Sequence, residues 1–345
     1  MKKFILNLFI ISALLFVVLN WMPSFFINPL YGNKPFATKH AYFLENQDQY
    51  NTLVMGSSRM YRHLDSVLLD EHLAACDTST FNLAAPATYN PEVYHLYENV
   101  LEDIDTGQFD FVFMELQPLV DIEPKNIKTD QSYYWMNLND LAYASSYGLA
   151  ANYPPKKKAG IIVDYSLSYI YRVIFNSRVL FSSEQDIGDE RFIGSEGYFS
   201  LNQQMEQITG NDSLQKRFDS FHADPFELYD RLNYTTEQVA LSDHSAHLNQ
   251  THLARLNDLI EVSADKGIHL VFILPPRLHQ QYEELFALQE ILPSEHLIAV
   301  VDPAKYPEMY ALEYSFDAGH LTDEGASIFT DYAADQLLDI CTNHK

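Results

Sequence analysis

The stretch NTLVMGSSRMYRHLD, residues 51–65, decides how the chain is read. Its apolar run Leu53-Val54-Met55 stops at Gly56 and gives way to Ser57-Ser58-Arg59. Gly and Ser are turn residues, so an ordinary turn explains the break. A buried strand that ends by presenting a serine explains it equally. The choice depends on what surrounds the stretch and what lies far from it in the chain.

Around it, short apolar runs alternate with helical patterns. TLVMG (52–56) reads as a buried strand, and DSVLLDEHLAA (65–75) as a helix with Val67, Leu68, Leu69 and Leu73 at helical spacing. STFNLAAP (79–86) reads as a second strand. NPEVYHLYENVLEDI (90–104) opens with Asn90 as a helix cap and Pro91 in the first helical position. DFVFMELQP (110–118) is a third strand. The pattern breaks over 121–245, rich in Tyr, Phe, Asn and Ser, with a loop at 152–160 and a helix at 163–181. This region reads as a cap-like insertion: a substrate wall, a membrane-proximal face or an elaborated surface subdomain. Alternation then resumes with a helix at 252–267 stopped by Gly267, strands at 268–276 and 295–303, and a closing helix within 316–341. The expected fold class is α/β, with a parallel sheet of about five strands covered by helices on both faces.

The N-terminus, MKKFILNLFIISALLFVVLNWMPSFF, predicts a transmembrane signal anchor. Lys2 and Lys3 precede an uncharged run from Phe4 to Met22, which spans about 28 Å as a helix, close to a hydrocarbon core of roughly 30 Å. A bulky, aromatic flank with Trp21 replaces the small residues of a cleavage site. Residues 1–3 are expected as a cytoplasmic tail, 4–22 as the anchor, 23–47 as a juxtamembrane segment and 48–345 as an extracytoplasmic domain.

With 22 Lys and Arg against 47 Asp and Glu, the net charge is −25, which argues against a nucleic-acid partner. The two cysteines, Cys76 and Cys341, make neither a disulfide scaffold nor a metal cluster, and their pairing depends on geometry. DHSAHLNQTHL places His244 and His247 three apart beside Asp243, but His252 falls off that face. Ser242 or Asp243 reads as a helix cap there, so no metal site is expected. No Walker loop, G-x-S-x-G elbow or H-E-x-x-H motif is present, and the sequence calls for no cofactor.

Open parallel sheets bind ligands at the carboxyl ends of their strands. There the chain offers Ser57-Ser58-Arg59, then Asn82 and Ala84-Ala85-Pro86, then Glu115-Leu116-Gln117-Pro118, and finally Asp317-Ala318-Gly319-His320. On a turn, a carboxylate three residues before a histidine can orient the imidazole that deprotonates a serine. Serine, histidine, carboxylate and backbone donors are the parts of a nucleophilic hydrolase.

Through VMGSSR, FNLAAP and FDAGHLTDEGASIF, the chain resembles the SGNH (GDSL-like) hydrolase superfamily, over residues 50–118 and 250–340. More narrowly it resembles the membrane-anchored, extracytoplasmic branch that includes alginate O-acetylation and teichoic-acid D-alanylation proteins. The resemblance implies a flavodoxin-like three-layer fold, Ser58 as nucleophile, His320 as base and Asp317 as its carboxylate. It also implies acyl chemistry on a cell-surface glycan, beside a membrane-bound O-acyltransferase as partner. Ser57 stands where typical members carry Asp, and the third-block Gly-x-Asn-Asp is replaced by Glu115-Leu116-Gln117-Pro118. The candidate oxyanion or substrate-binding residues are Arg59, Asn82, Ala84 and Gln117. The leading expectation is a serine esterase or O-acyltransferase, and the alternative is a catalytically inactive binding or assembly factor that keeps the fold.

Overall fold

A computed structural model of the protein describes residues 2–21, 32–119, 131–175, 190–207, 212–278 and 281–344. Among the described residues there are five strands: β1 (Thr52–Met55), β2 (Thr80–Asn82), β3 (Phe111–Glu115), β4 (His269–Leu274) and β5 (Leu297–Ala299). All pair in parallel, in the order β2-β1-β3-β4-β5, a doubly wound arrangement.

The helices follow in chain order. α1 (Lys2–Trp21) and α2 (Lys34–Asn46) precede the sheet; α3 (Ser58–His63) and α4 (Ser66–His72) follow β1; α5 (Glu92–Asp103) follows β2. Between β3 and β4 lie α6 (Ser132–Trp135), α7 (Leu138–Ala150), α8 (Pro155–Phe175), α9 (Leu201–Gln207), α10 (Asp212–Ala223), α11 (Phe226–Val239) and α12 (Gln250–Asp265). α13 (Tyr282–Gln289) follows β4, and α14 (Asp323–His344) closes the chain.

Successive strand side chains point to opposite faces, so a strand buried on both sides must be apolar at every position. Leu53, Val112 and Phe272 face one core with α2, α5, α12 and α13, whereas Val54, Phe113 and Ile273 face another with α3, α4 and α14. The three layers follow from this alternation. Cys76 and Cys341 lie buried in the second core and are not joined by a disulfide.

The structure moves several expected boundaries. Asn90 does not cap α5; its Nδ2 donates to the Gln117 carbonyl at 3.1 Å, and the helix starts at Glu92 with no side-chain cap. Neither Ser242 nor Asp243 opens a long helix, because α12 begins at Gln250 under Asn249, whose Oδ1 accepts from the N–H groups of Thr251 and His252. The expected strand at 295–303 is cut to β5 where Asp302 and Pro303 turn the chain. The helix expected at 65–75 ends at His72 and tightens into a 3-10 turn over Ala74–Cys76.

α1 carries exposed apolar side chains from Phe4 to Val18. That part spans about 22 Å at 1.5 Å per residue, and among the described residues no helix is long and apolar enough to cross a membrane. Met22 of the expected anchor and residues 23–31 of the expected juxtamembrane segment lie outside the described residues, as do 121–130, 176–189 and 208–211 of the insertion.

The described part of the insertion is helical, and it is docked through side chains that the sequence pattern does not reveal. His252 Nδ1 lies 2.7 Å from Glu284 Oε1, and its Nε2 lies 2.9 Å from the Tyr94 hydroxyl. The Tyr147 hydroxyl donates to the other Glu284 oxygen. This buried network joins α5, α7, α12 and α13, and a carboxylate removed from it leaves buried donors unpaired. Glu284→Ala is therefore expected to lower unfolding stability by about 3 kcal/mol, read from urea denaturation.

Candidate active site

Gly56 ends β1 with φ +154, and a Cβ there would lie 2.6 Å from Met60 Cγ and 2.8 Å from Glu115 Cβ. Only glycine lets the chain turn this tightly beside β3. Ser57 then caps α3, its Oγ accepting from the Arg59 N–H at 3.2 Å, which places Ser58 at the first helical position. The turn reading therefore belongs to Ser57, and Ser58 is left to face the site.

His320 comes from the loop between β5 and α14. Asp317 Oδ1 accepts the N–H groups of Gly319 and His320 at 2.7 and 2.9 Å, folding the loop so that carboxylate and imidazole meet. His320 Nδ1 lies 3.0 Å from Asp317 Oδ1, and Nε2 lies 2.9 Å from Ser58 Oγ. With Asp317 holding the proton on Nδ1, Nε2 accepts the Ser58 hydroxyl proton. Burial lowers the His320 pKa below its usual value despite the opposing pull of Asp317. Asp317 is pushed up by burial, but the His320 hydrogen bond, His320 charge and Arg217 outweigh this and hold it well below the ordinary carboxylate range. The base is thus neutral and its carboxylate charged at neutral pH.

Four further residues complete the surroundings, none of them identified from sequence as part of the site's machinery. Arg217 of α10 forms an ion pair with Asp317, and its Nη2 lies 3.1 Å from His320 Nδ1. α10 is held there by apolar packing of Leu214 and Phe218 on Phe316, the residue before Asp317. Arg277, fully buried after β4, donates from Nε to the Met309 carbonyl and from Nη1 to the carbonyls of Asp317 and His320 at 3.4 and 3.3 Å. Burial pushes its pKa down to about 9. His63 accepts the Leu321 N–H through Nε2 at 3.1 Å and packs edge-on against His320, while burial keeps it neutral. Glu115 ends β3 fully buried, and its one available signal was a carboxylate closing the otherwise apolar FVFME strand. Nothing in the local pattern marks Arg217, which lies about a hundred residues from its partner in the chain.

Arg217→Gln removes a cation that lowers the His320 pKa. A base works when neutral, so raising its pKa moves the acid limb of the kcat/KM profile to higher pH. That upward displacement, measured with a neutral ester, is the expected outcome.

Three of the four expected oxyanion or substrate-binding residues, Asn82, Ala84 and Gln117, have their polar groups engaged within the protein. Asn82 is buried, with Nδ2 donating to the carbonyls of Met60 and Leu64 at 2.9 and 3.0 Å and Oδ1 accepting the Ala84 N–H at 3.0 Å. The Ala85 N–H donates to the Gly56 carbonyl at 3.0 Å. Gln117 donates from Nε2 to Glu115 Oε2 at 2.8 Å, and its Oε1 accepts the Asn90 N–H at 2.9 Å. Asn82 and Gln117 are thus engaged within the protein, and the Ala84 N–H is taken by Asn82. Arg59 stays at the site, its Nε donating to Glu115 Oε1 at 2.8 Å.

His244 is bonded to Glu290 at 3.0 Å and to the Gln238 carbonyl at 3.1 Å, while His247 is exposed and His252 belongs to the buried network. No family model matches the chain, and no curated protein is significantly similar to it.

Proposed function

We propose that the protein is a serine esterase or O-acyltransferase of the SGNH type, working through an acyl-enzyme on Ser58. The observation that carries this reading is the unbroken chain from Ser58 Oγ through His320 to Asp317. Ser58 attacks an acyl carbonyl as its proton passes to His320 Nε2, and Asp317 supports the imidazolium that forms. On collapse the leaving alcohol departs with the His320 Nε2 proton; water or a sugar hydroxyl then gives its proton to His320 and takes the acyl group, and that proton returns to Ser58 Oγ. The flavodoxin-like strand order supports this assignment, since Ser58 follows β1 at the switch point between β1 and β3.

The proposed setting is the outer face of a membrane, with residues 4–22 as anchor and the main domain extracytoplasmic. The exposed apolar surface of α1 behind Lys2 and Lys3 supports it. An acylated cell-surface glycan is the proposed substrate and a membrane-bound O-acyltransferase the proposed partner, both resting on the motif resemblance. The −25 charge favours a neutral glycan over a strongly anionic one.

A second reading, a non-catalytic binding or assembly factor, is favoured by the internal engagement of Ala84, Ala85 and Gln117. A fluorophosphonate probe separates the two. The catalytic reading expects covalent labelling of the full chain that is lost in Ser58→Ala. A folded protein that takes no label would establish the second reading.

A further inference from the structure

We infer that the Arg59 guanidinium is an oxyanion donor of this site, acting beside the Ser58 N–H. The inference rests on the serine-acyl reading above and names the group that makes it work.

It begins with elimination. A tetrahedral intermediate needs donors aimed at the developing O⁻, and removing one costs about 10²–10³ in rate. The Ser57 N–H, beside the nucleophile, donates to Glu115 Oε2 at 2.6 Å. The Ala84 and Ala85 N–H groups donate to Asn82 Oδ1 and the Gly56 carbonyl, both at 3.0 Å. Gln117 Nε2 is held by Glu115. These donors are engaged within the protein; the Ser58 N–H, at the first position of α3, has no partner among the described residues and is the one neutral donor left beside the nucleophile.

Arg59 differs. It adjoins Ser58, and only its Nε is engaged, by Glu115. Among the described residues its two Nη groups have no hydrogen-bond partner, and the side chain is 18 % exposed. Glu115 is itself fully buried and fixed by Ser57 and Gln117. It holds the guanidinium through Nε and leaves the Nη groups without a partner among the described residues. The same ion pair neutralises the resting charge, so the site does not depend on trapping an anion from bulk. The guanidinium stands close enough for its charge to act on both His320 and His63. A permanently charged, planar donor in a partly dry site gives charge-assisted bonds to an oxyanion.

The step balances. The Ser58 Oγ–carbon bond forms as the hydroxyl proton moves to His320 Nε2, and the carbonyl π pair moves onto oxygen, where Arg59 Nη–H groups hold it. On collapse the carbonyl re-forms, the bond to the leaving oxygen breaks, and His320 Nε2–H protonates that oxygen.

The test uses the full chain in detergent, with p-nitrophenyl acetate as ester and a fluorophosphonate as active-site label. Arg59→Ala leaves Glu115 buried and unpaired, so the double variant Arg59→Ala/Glu115→Gln is measured beside it. Both are expected to lose about 10²–10³ in kcat with KM little changed, and added guanidinium is expected to restore part of kcat in these variants but none in Ser58→Ala. Wild-type kcat in the double variant, or a raised KM with kcat intact, would overturn the inference while leaving the nucleophile in place. A wild-type chain that takes no label would overturn the serine reading, and this inference with it.

Discussion

Ser58→Ala is expected to lower the rate of ester hydrolysis by about 10⁴-fold or more, with the folded state unchanged. Ser58 is half-exposed at the site, so losing its hydroxyl leaves no cavity and no buried unpaired group other than His320 Nε2. His320→Ala is expected to cost about as much, and the double variant little more than either alone. A nucleophile and its base act as one unit, so their losses do not add. Rate measurements on the three variants check this. Losses that multiply would mean that Ser58 and His320 do not act as one unit, and equal rates in all three and the wild type would remove Ser58 from catalysis.

Gly197→Ala is expected to destabilise the protein by about 3 kcal/mol or more, measured by thermal or urea unfolding. Gly197 has φ +84, and a Cβ there would lie 2.1 Å from the backbone oxygen of Asn82 and 2.8 Å from its carbonyl carbon. Both the strained conformation and the clash with backbone count against alanine. The tight turn joining Ser195 and Tyr198 presses against the edge strand β2, where the Asn82 N–H donates to the Glu196 carbonyl at 2.9 Å. The insertion thereby covers an edge that would otherwise expose unpaired backbone. Gly107→Ala is the matched control: its φ is +79, but a Cβ there meets nothing within 4 Å, so only the conformational cost of about 1 kcal/mol is expected. Asn82 also holds the carbonyls of Met60 and Leu64 in and after α3, so displacing β2 is expected to move Ser58 and reduce activity in the folded fraction.

The amino-acid order by itself determined the layers. A parallel strand buried on both faces must be apolar throughout, so LVM, FVFM and LVFIL announce themselves without knowledge of their neighbours. The link from Asp317 to His320 is also local, because three residues of turn bring carboxylate and imidazole together. Their convergence with Ser58 was legible one step further out, since parallel strands deliver their carboxyl ends to one edge.

Which polar group meets which was decided only by the tertiary structure. Asn90 stands where a helix cap belongs, but the Gln117 carbonyl lies within its reach and takes its amide. Asn82 and Gln117 stand at strand ends, yet they turn inward because α3 and Glu115 offer buried groups that need partners. Arg217 reaches Asp317 because α10 packs on Phe316 across a hundred residues of chain. Burial periodicity is a property of a segment and can be read along it. A hydrogen-bond partner is chosen by proximity within a few tenths of an ångström among groups distant in sequence, and only the folded chain sets those distances.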